Sequence, residues 1–458
     1  MDANLFSDLA GKLPLGEAVH TLLRDCLDQK RLASIFEKHR GRSYEKIISF
    51  PHMVEMIGDS LMSQGGSAYR TFSLAQEAGE LEASKVAAYR KLSRTPIPLS
   101  MAFFTECNQS LLDTFPKKAR RQSPKCLQKM ETVILDGKAI KGVAKRMKAL
   151  RATKGGLLGG RALVGLHFET GLIVGFHAEP DGDANDSRFV PDLLPVIEQR
   201  VKGPMLWLTD RGFCDLNRLE DFAKNGHHFL VRYHKKNGFH LDPDRPAIHG
   251  TDKQGRAYTE EWGWQGAENH QKRRYVRRIT LIRPDADDVS LVTDLLDSAS
   301  FPAPDLLDHY LSRWGIEGVF QQVTETFGLE GLIGSTPEAT VFQFAFCLLL
   351  YNTLQVTRGF IAANQKRPAE SISIENIFVD VTEELLTFDV LLRRGLVRLD
   401  AIPPCEDVAL RLRELLKEEW SDRWIKAINK KRRAHVVQSG KRAHGSVFRI
   451  LEADRKRR

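Results

Sequence analysis

Between Thr132 and His234 the chain alternates short apolar runs with amphipathic stretches, in an order that few folds accommodate. TVILDGKAI, RALVGLHFE (Arg161 to Glu169) and LIVGFHAEP (Leu172 to Pro180) read as strands, the last two joined at the Thr170-Gly171 turn. Asn185-Asp186-Ser187 offers a cap for a helix over FVPDLLPVIEQRV, where Pro191 and Pro195 disturb the start and the straightness of that helix. A further strand is expected in MLWLTDRGF (Met205 to Phe213), a helix in DLNRLEDFAKNG and a last strand in HFLVRYH (His228 to His234). Such a succession makes a mixed α/β sheet with helices packed on it.

The flanks have another texture. Residues 1–130 carry apolar positions at three- and four-residue steps and read as a helical module. Within it, Ser73 to Arg94 has two short amphipathic pieces around a glycine and ends in Tyr89, Arg90, Lys91 and Arg94. That pattern suits a DNA-contacting helix-turn-helix and an ordinary bundle helix equally. Residues 131–234 form the first part of the sheet domain and 235–300 a β-rich insertion, with YTEEWGWQ, YVRRITLIRP and VSLVTDLLD as its clearest runs. Helical periodicity returns in 301–366, the second part of the sheet domain. Residues 367–458 are helical and increasingly basic, with KKRRAH (Lys430 to His435), KRAH (Lys441 to His444) and a terminal DRKRR.

The formal net charge is +9, from 68 Lys and Arg against 59 Asp and Glu, and 42% of the 458 residues are hydrophobic. A disordered chain is excluded, and the excess charge favours nucleic acid first and an anionic membrane second. Six scattered cysteines without a C-x-x-C pair read as reduced thiols of a cytosolic protein. The N-terminus lacks the basic-then-apolar order of a secretion signal, so the chain is expected to start as mature protein. Phe344 to Tyr351 (FAFCLLLY) falls short of the ~20 residues that span a bilayer and reads as a buried helix.

Two carboxylates mark the sheet. Asp136 stands among apolar neighbours in VILDGK, where an unpaired charge is costly, and Asp210 ends the fourth strand in LWLTDRGF. Either alone suits a turn cap; both, on neighbouring strands, suit one site. Glu317 in HYLSRWGIEGVF lies four and seven residues from Arg313 and Tyr310 in a pattern that shares one helical face, although such a stripe is often only solvated. Three carboxylates can hold two Mg2+ ions, which keep octahedral oxygen ligation, with Mn2+ as a substitute.

The order of strands and helices is ribonuclease H-like. Asp136 in ILDGK, Asp210 in TDRGF and the Y-x2-R-x3-E set of Tyr310, Arg313 and Glu317 resemble the signature of DDE transposases of bacterial insertion sequences, specifically the IS-four family with a β insertion before the Glu. The resemblance runs from about Val133 to Leu354 and includes PDGDAND, GLEGLIGSTPEAT and LLLYN. It implies a metal-dependent enzyme in which Asp136, Asp210 and Glu317 are both catalytic residues and metal ligands. Its partners are the terminal inverted repeats and the target DNA; a homodimer assembles on DNA in the bacterial cytosol, at the nucleoid and away from any membrane. Tyr310, Arg313, Lys138, Lys141, Arg211, Trp262 and Trp264 are the expected DNA contacts.

For Trp262 and Trp264, two residues apart on a strand, a place in the core of the insertion is the competing reading. Asp183 and Asp186 suit extra metal ligands or, more simply, helix caps. The family signature continues to a Lys where this chain has Thr324, and no Lys or Arg occurs from Gly318 to Thr340. A hydroxyl cannot replace an ammonium as a phosphate partner. Either Arg313 and the basic loop after Asp136, from Lys138 through Lys154, supply that charge, or end processing is weaker than usual in the family. A nuclease without strand transfer and a catalytically silent DNA-binding regulator are the alternatives.

Overall fold

The computed structural model describes residues 12–62, 67–284, 286–327, 334–393, 407–426 and 444–457. Cys405, the basic run Lys430–His435 and most of Lys441–His444 lie outside them, as do residues 328–333 of the GLEGLIGSTPEAT stretch.

Helices α1 (Pro14–Cys26), α2 (Gln29–His39), α3 (Phe50–Met62), α4 (Ala68–Glu77), α5 (Lys85–Leu92), α6 (Ile97–Cys107) and α7 (Leu111–Thr114) come first. Asp28, Ser67 and Ser84 cap α2, α4 and α5 by accepting backbone N–H groups, as short polar side chains at these positions do. α4 and α5 are the two short helices read around a glycine in the sequence, and Gly79 (φ +75°) supplies the left-handed turn residue between them.

The sheet follows: β1 (Glu131–Lys141), α8 (Lys148–Arg151), β2 (Gly156–His167), β3 (Ile173–Glu179), α9 (Val190–Arg200), β4 (Met205–Thr209), α10 (Leu216–Phe222) and β5 (His228–Arg232). β1 pairs antiparallel with β2 and parallel with β4, β4 pairs parallel with β5, and β3 pairs antiparallel with β2. The spatial order β3-β2-β1-β4-β5 is the ribonuclease H-like arrangement expected from the sequence. β4 is buried along its whole length, which is why it reads as an unbroken apolar run. Pro191 sits in the first turn of α9, where no N–H is needed, while Pro195 is inside the helix.

The next strands are β6 (Phe239–Leu241), β7 (Ile248–Thr251), β8 (Ala257–Gln265), β9 (Arg274–Leu281) and β10 (Val289–Thr293). They do not make a separate sheet. β10 pairs with β5, β9 with β10 and β8 with β9, so residues 239–293 carry the central sheet outward. Then come α11 (Ala303–Leu311), α12 (Gly315–Gln321), α13 (Pro337–Asn364), α14 (Ile374–Arg393), α15 (Val408–Leu415), β11 (His444–Ser446) and α16 (Val447–Arg457). β11 pairs parallel with the start of β2.

Side-chain alternation divides the core. Val133, Leu135, Trp207, Phe229 and Val231 face one side, against α9 and α10. Ile134, Leu206, Leu208 and Leu230 face the other, in one continuous core with α11, α12, α13 and the N-terminal helices. α13 is the only described helix long and apolar enough to cross a membrane, and it is wholly buried.

Candidate active site

Parity along the strands decides where the carboxylates go. Asp136 lies two residues beyond Ile134, and Asp210 two beyond Leu208, so both belong to the sheet face that α11 and α12 cover. Ile134 is level with Leu208 in the parallel β1–β4 pair, and continuing that register sets Asp136 beside Asp210. Asp210 closes the turn after β4 by accepting the Gly212 N–H at 2.8 Å. Gly137 is required by a close approach: a Cβ there would collide with the Asp186 carboxylate.

Glu317 arrives on α12. The Tyr-Arg-Glu stripe is not one straight helix, because a 3-10 turn over Ser312–Trp314 separates α11 from α12. Tyr310 is buried, its hydroxyl pushed up to about 12 by burial, and it donates to the Thr209 carbonyl at 3.2 Å. That bond ties α11 to the end of β4, next to Asp210. The Arg313 guanidinium reaches both other acids, 3.8 Å from Asp136 and 4.0 Å from Glu317. Its side chain is 7% exposed and its Nε has no hydrogen-bond partner.

Asp136 has its carboxyl pushed up to about 6, first by burial, then by the charges of Asp210 and Glu317, against the lowering effect of Arg313 and the Gly137 N–H. Both of the other acids therefore act on Asp136. The cleft in front of Asp136 and Glu317 has a volume of about 510 Å³ and is lined by these two acids, Lys138, Lys141, Thr324 and Glu325, among others. Thr324 thus stands at the rim where the sequence pattern puts a lysine, in a π-helical turn (Gln322–Thr326) that prolongs α12. Its hydroxyl is engaged with the Phe320 carbonyl at 2.6 Å. Lys138 sits over the Phe320 ring, 5.4 Å from its centre. Arg211 is exposed beside Asp210, and Lys141, Arg146, Lys148, Arg151 and Lys154 are exposed along the loop that follows β1.

Other expected contacts are placed differently. Trp262 is 1% exposed, its Nε1 donates to the Leu296 carbonyl, and the Arg245 guanidinium stacks on it at 4.0 Å. A buried, hydrogen-bonded indole cannot stack an extruded base, so Trp262 is core. Trp264 is 39% exposed, against Tyr275 and Arg273. Asp183 pairs with Arg449 and Asp186 with Arg161, while Asn185 caps the turn before α9 by accepting the Ser187 N–H. His227 accepts the Met205 N–H and His228 bonds Asp294.

One cluster escaped the sequence reading. The ligand atoms of Glu131, His167 and Glu169 lie within 4.8 Å of one another. The His167 Nε2 is 2.7 Å from Glu131 and 3.2 Å from Glu169, and its Nδ1 meets Thr170. The Glu131 carboxyl is held below its usual range by the His167 hydrogen bond, while burial raises that of Glu169. Glu131 precedes Asp136 by five residues on a strand, about 17 Å, so this triad is not part of the Asp136 site. Residues this far apart in sequence make no spacing motif.

Residues 127–353, which contain Asp136, Asp210 and Glu317, match the family model of the transposase DDE domain. No curated protein matches the chain. Among solved structures, a cryo-EM structure of a piggyBac transposase synaptic complex with hairpin DNA is similar at 10% identity, over 88% of this chain and 82% of that one, with a TM-score of 0.38. The match over residues 127–353 supports a DNA transposase function.

Proposed function

We propose that Asp136, Asp210 and Glu317 are the catalytic carboxylates with which this transposase cuts DNA at the terminal inverted repeats of an insertion sequence of the IS-four family and joins the freed ends to a target. The observation that carries this reading is that Asp136 and Asp210 share one sheet face while the buried Arg313 lies between Asp136 and Glu317 of α12. The donor set is all carboxylate oxygen, which suits a hard divalent cation, and the burial and neighbouring charges that raise Asp136 are what such a cation offsets. Bound by these three residues, a pair of Mg2+ ions, or Mn2+ in their place, would supply the positive charge that an attacking oxygen and a leaving 3′ oxygen require.

The chain's own groups do the rest. Arg313 fixes Asp136 and Glu317 in orientation, and Tyr310 fixes the helix turn that carries Arg313. Lys138 and Lys141, at the rim of the cleft, hold the backbone phosphates of the strand being cut. In the N-terminal region a second cleft of about 690 Å³ is lined by Arg42, Lys46, Arg90, Arg94 and Arg455, with the exposed Tyr44. We assign the inverted-repeat duplex to it, with the α5 face bearing Val86 and Arg90 toward the DNA. A homodimer brings two such ends together in the bacterial cytosol.

The test is Asp136→Ala in the full chain, incubated with Mg2+ and a labelled inverted-repeat duplex. Cleavage and joining are expected to disappear while the duplex is still bound within about threefold of the wild-type affinity. Equal loss of binding and cleavage would assign Asp136 a structural role instead.

A further inference from the structure

A third basic cleft, of about 860 Å³, opens between the segment Lys118–Gln122 and the end of α13, with Phe168 and Ser312 at its base. Lys118, Arg120, Arg121, Lys366 and Arg367 line it, and Glu370 is the one carboxylate in that lining, 3.7 Å from Arg121. The Arg120 Nε is buried without a hydrogen-bond partner. Behind the cleft, burial and the neighbouring Arg358 and Arg121 hold the Lys426 ammonium below its usual range. The C-terminal end of a helix attracts cations, but its partial charge is only about half an elementary charge. Five cations against one carboxylate exceed that.

The cleft has a definite place relative to the carboxylates. Ser312 in its wall immediately precedes Arg313, and Arg121 reaches to 3.8 Å from where a Cβ on Gly315 would stand, two residues before Glu317. It therefore backs onto the turn that carries the active-site arginine. α13 links it to the N-terminal cleft: Glu338 at the start of that helix lines one, Ala362 and Ala363 near its end line the other. The 28 residues of α13 make about 40 Å, the length of roughly a dozen base pairs. Along α13, Thr340 meets Gly159 and Tyr351 meets Gly171, and Asp136, paired with Val164, falls between.

From this placement we propose that the cleft of Lys118, Arg120, Arg121, Lys366 and Arg367 seats the phosphodiester backbone of DNA on the far side of the cut from the inverted repeat. The proposal rests on the reading of the carboxylates given above. One backbone chemistry reaches that position from two sources, the donor flank before cleavage and the target DNA after it.

The experiment uses the full chain with Lys118→Glu, Lys366→Glu and Arg367→Glu together, all exposed positions, and thermal melting as the check of folding. Wild type and variant are titrated with an inverted-repeat duplex that ends at the cut and with one that continues into the flank. They are then assayed for joining of a pre-cut end to a target duplex. The flank is expected to raise wild-type affinity about tenfold or more at 0.1 M salt, and the variant to lose most of that gain, with a salt slope flatter by about 2 to 3. A retained flank gain with target joining down about tenfold also supports the cleft, and names target DNA as its occupant. A variant with the full flank gain and wild-type joining overturns the proposal. Should the wild type cut and join nothing, the carboxylate assignment falls, while the flank titration still decides the cleft.

Discussion

Asp136 is the residue on which charge and geometry bear most directly. Its carboxyl is pushed up to about 6 by burial and by two neighbouring acids, and the side chain is 20% exposed. A folded-state value above the unfolded one means that the protonated form stabilises the fold below about pH 4, and that this contribution is lost as pH rises through about 6. Asp136→Asn is therefore expected to raise the melting temperature in EDTA at pH 8, by an amount corresponding to on the order of 2 to 3 kcal/mol, with no difference left near pH 4. Mg2+ should close the gap at pH 8 by stabilising the wild type alone. Melting curves at the two pH values with and without Mg2+ check this, and a variant less stable than wild type at pH 8 in EDTA contradicts it. Both aspartates could be read from the sequence because a charge at the end of an apolar strand run is an exception that periodicity exposes. Trp262 and Trp264 could not be told apart, since a period of two gives a shared face but not what covers it, and only Trp262 has Arg245 and Arg277 against it. The Glu131–His167–Glu169 cluster was hidden because a hairpin, not a spacing, brings it together.

At the scale of elements, α13 shows how a helix can close a sheet. Its Asn352 side chain treats the edge of β3 as a strand would: Oδ1 accepts the Ile173 N–H at 2.8 Å, and Nδ2 donates to the Ile173 carbonyl and to Asn108 at 2.7 Å each. A buried backbone N–H and C=O left unpaired cost more than the bonds themselves contribute. Asn352→Leu keeps the volume and takes the partner from the Ile173 N–H and from Asn108 Oδ1, while the Ile173 carbonyl keeps the Asn108 Nδ2 at 2.9 Å, so it is expected to destabilise the protein by about 2 to 4 kcal/mol, read as a lower denaturation midpoint. A midpoint equal to wild type would mean that water or a shifted backbone replaces the amide. The strands β1 to β5 were legible because their apolar runs and turn residues are local signals. The continuation of the sheet through β10, β9 and β8 was not, because which edge a strand joins is decided by partners distant in sequence. The apolar run Phe344–Tyr351 announced a buried helix, but its extension to Pro337–Asn364 depends on polar residues, Gln343, Asn352 and Gln355, that are buried by tertiary packing alone.

Across the whole molecule, the two ends of the described chain serve one surface. β11 adds to the outer edge of β2, and Arg449 on α16 holds Asp181 and Asp183 of the loop after β3, with Ser446 bonded to Asp181 and to the Gly182 N–H. This docking sends α16 toward the helices at the start of the chain, where Arg455 joins Arg42, Lys46, Arg90 and Arg94 in the N-terminal cleft. A cleft assembled from residues more than 350 positions apart loses charge when either part moves. Two substitutions separate charge from docking. Arg455→Glu removes a cation at an exposed position without touching the Asp181 pairing, so melting should stay within a degree or so of wild type while affinity for the inverted-repeat duplex falls, with a salt slope flatter by about 1 for one lost phosphate contact. Arg449→Ala leaves every cleft cation in place but frees α16 from its two aspartates; the same loss of affinity is expected, now with faster proteolysis of the C-terminal segment. Titrations of the two variants across a series of salt concentrations measure both effects. Wild-type slopes for Arg455→Glu would remove the C-terminal helix from the DNA surface and leave it only the role of covering the edge of β2.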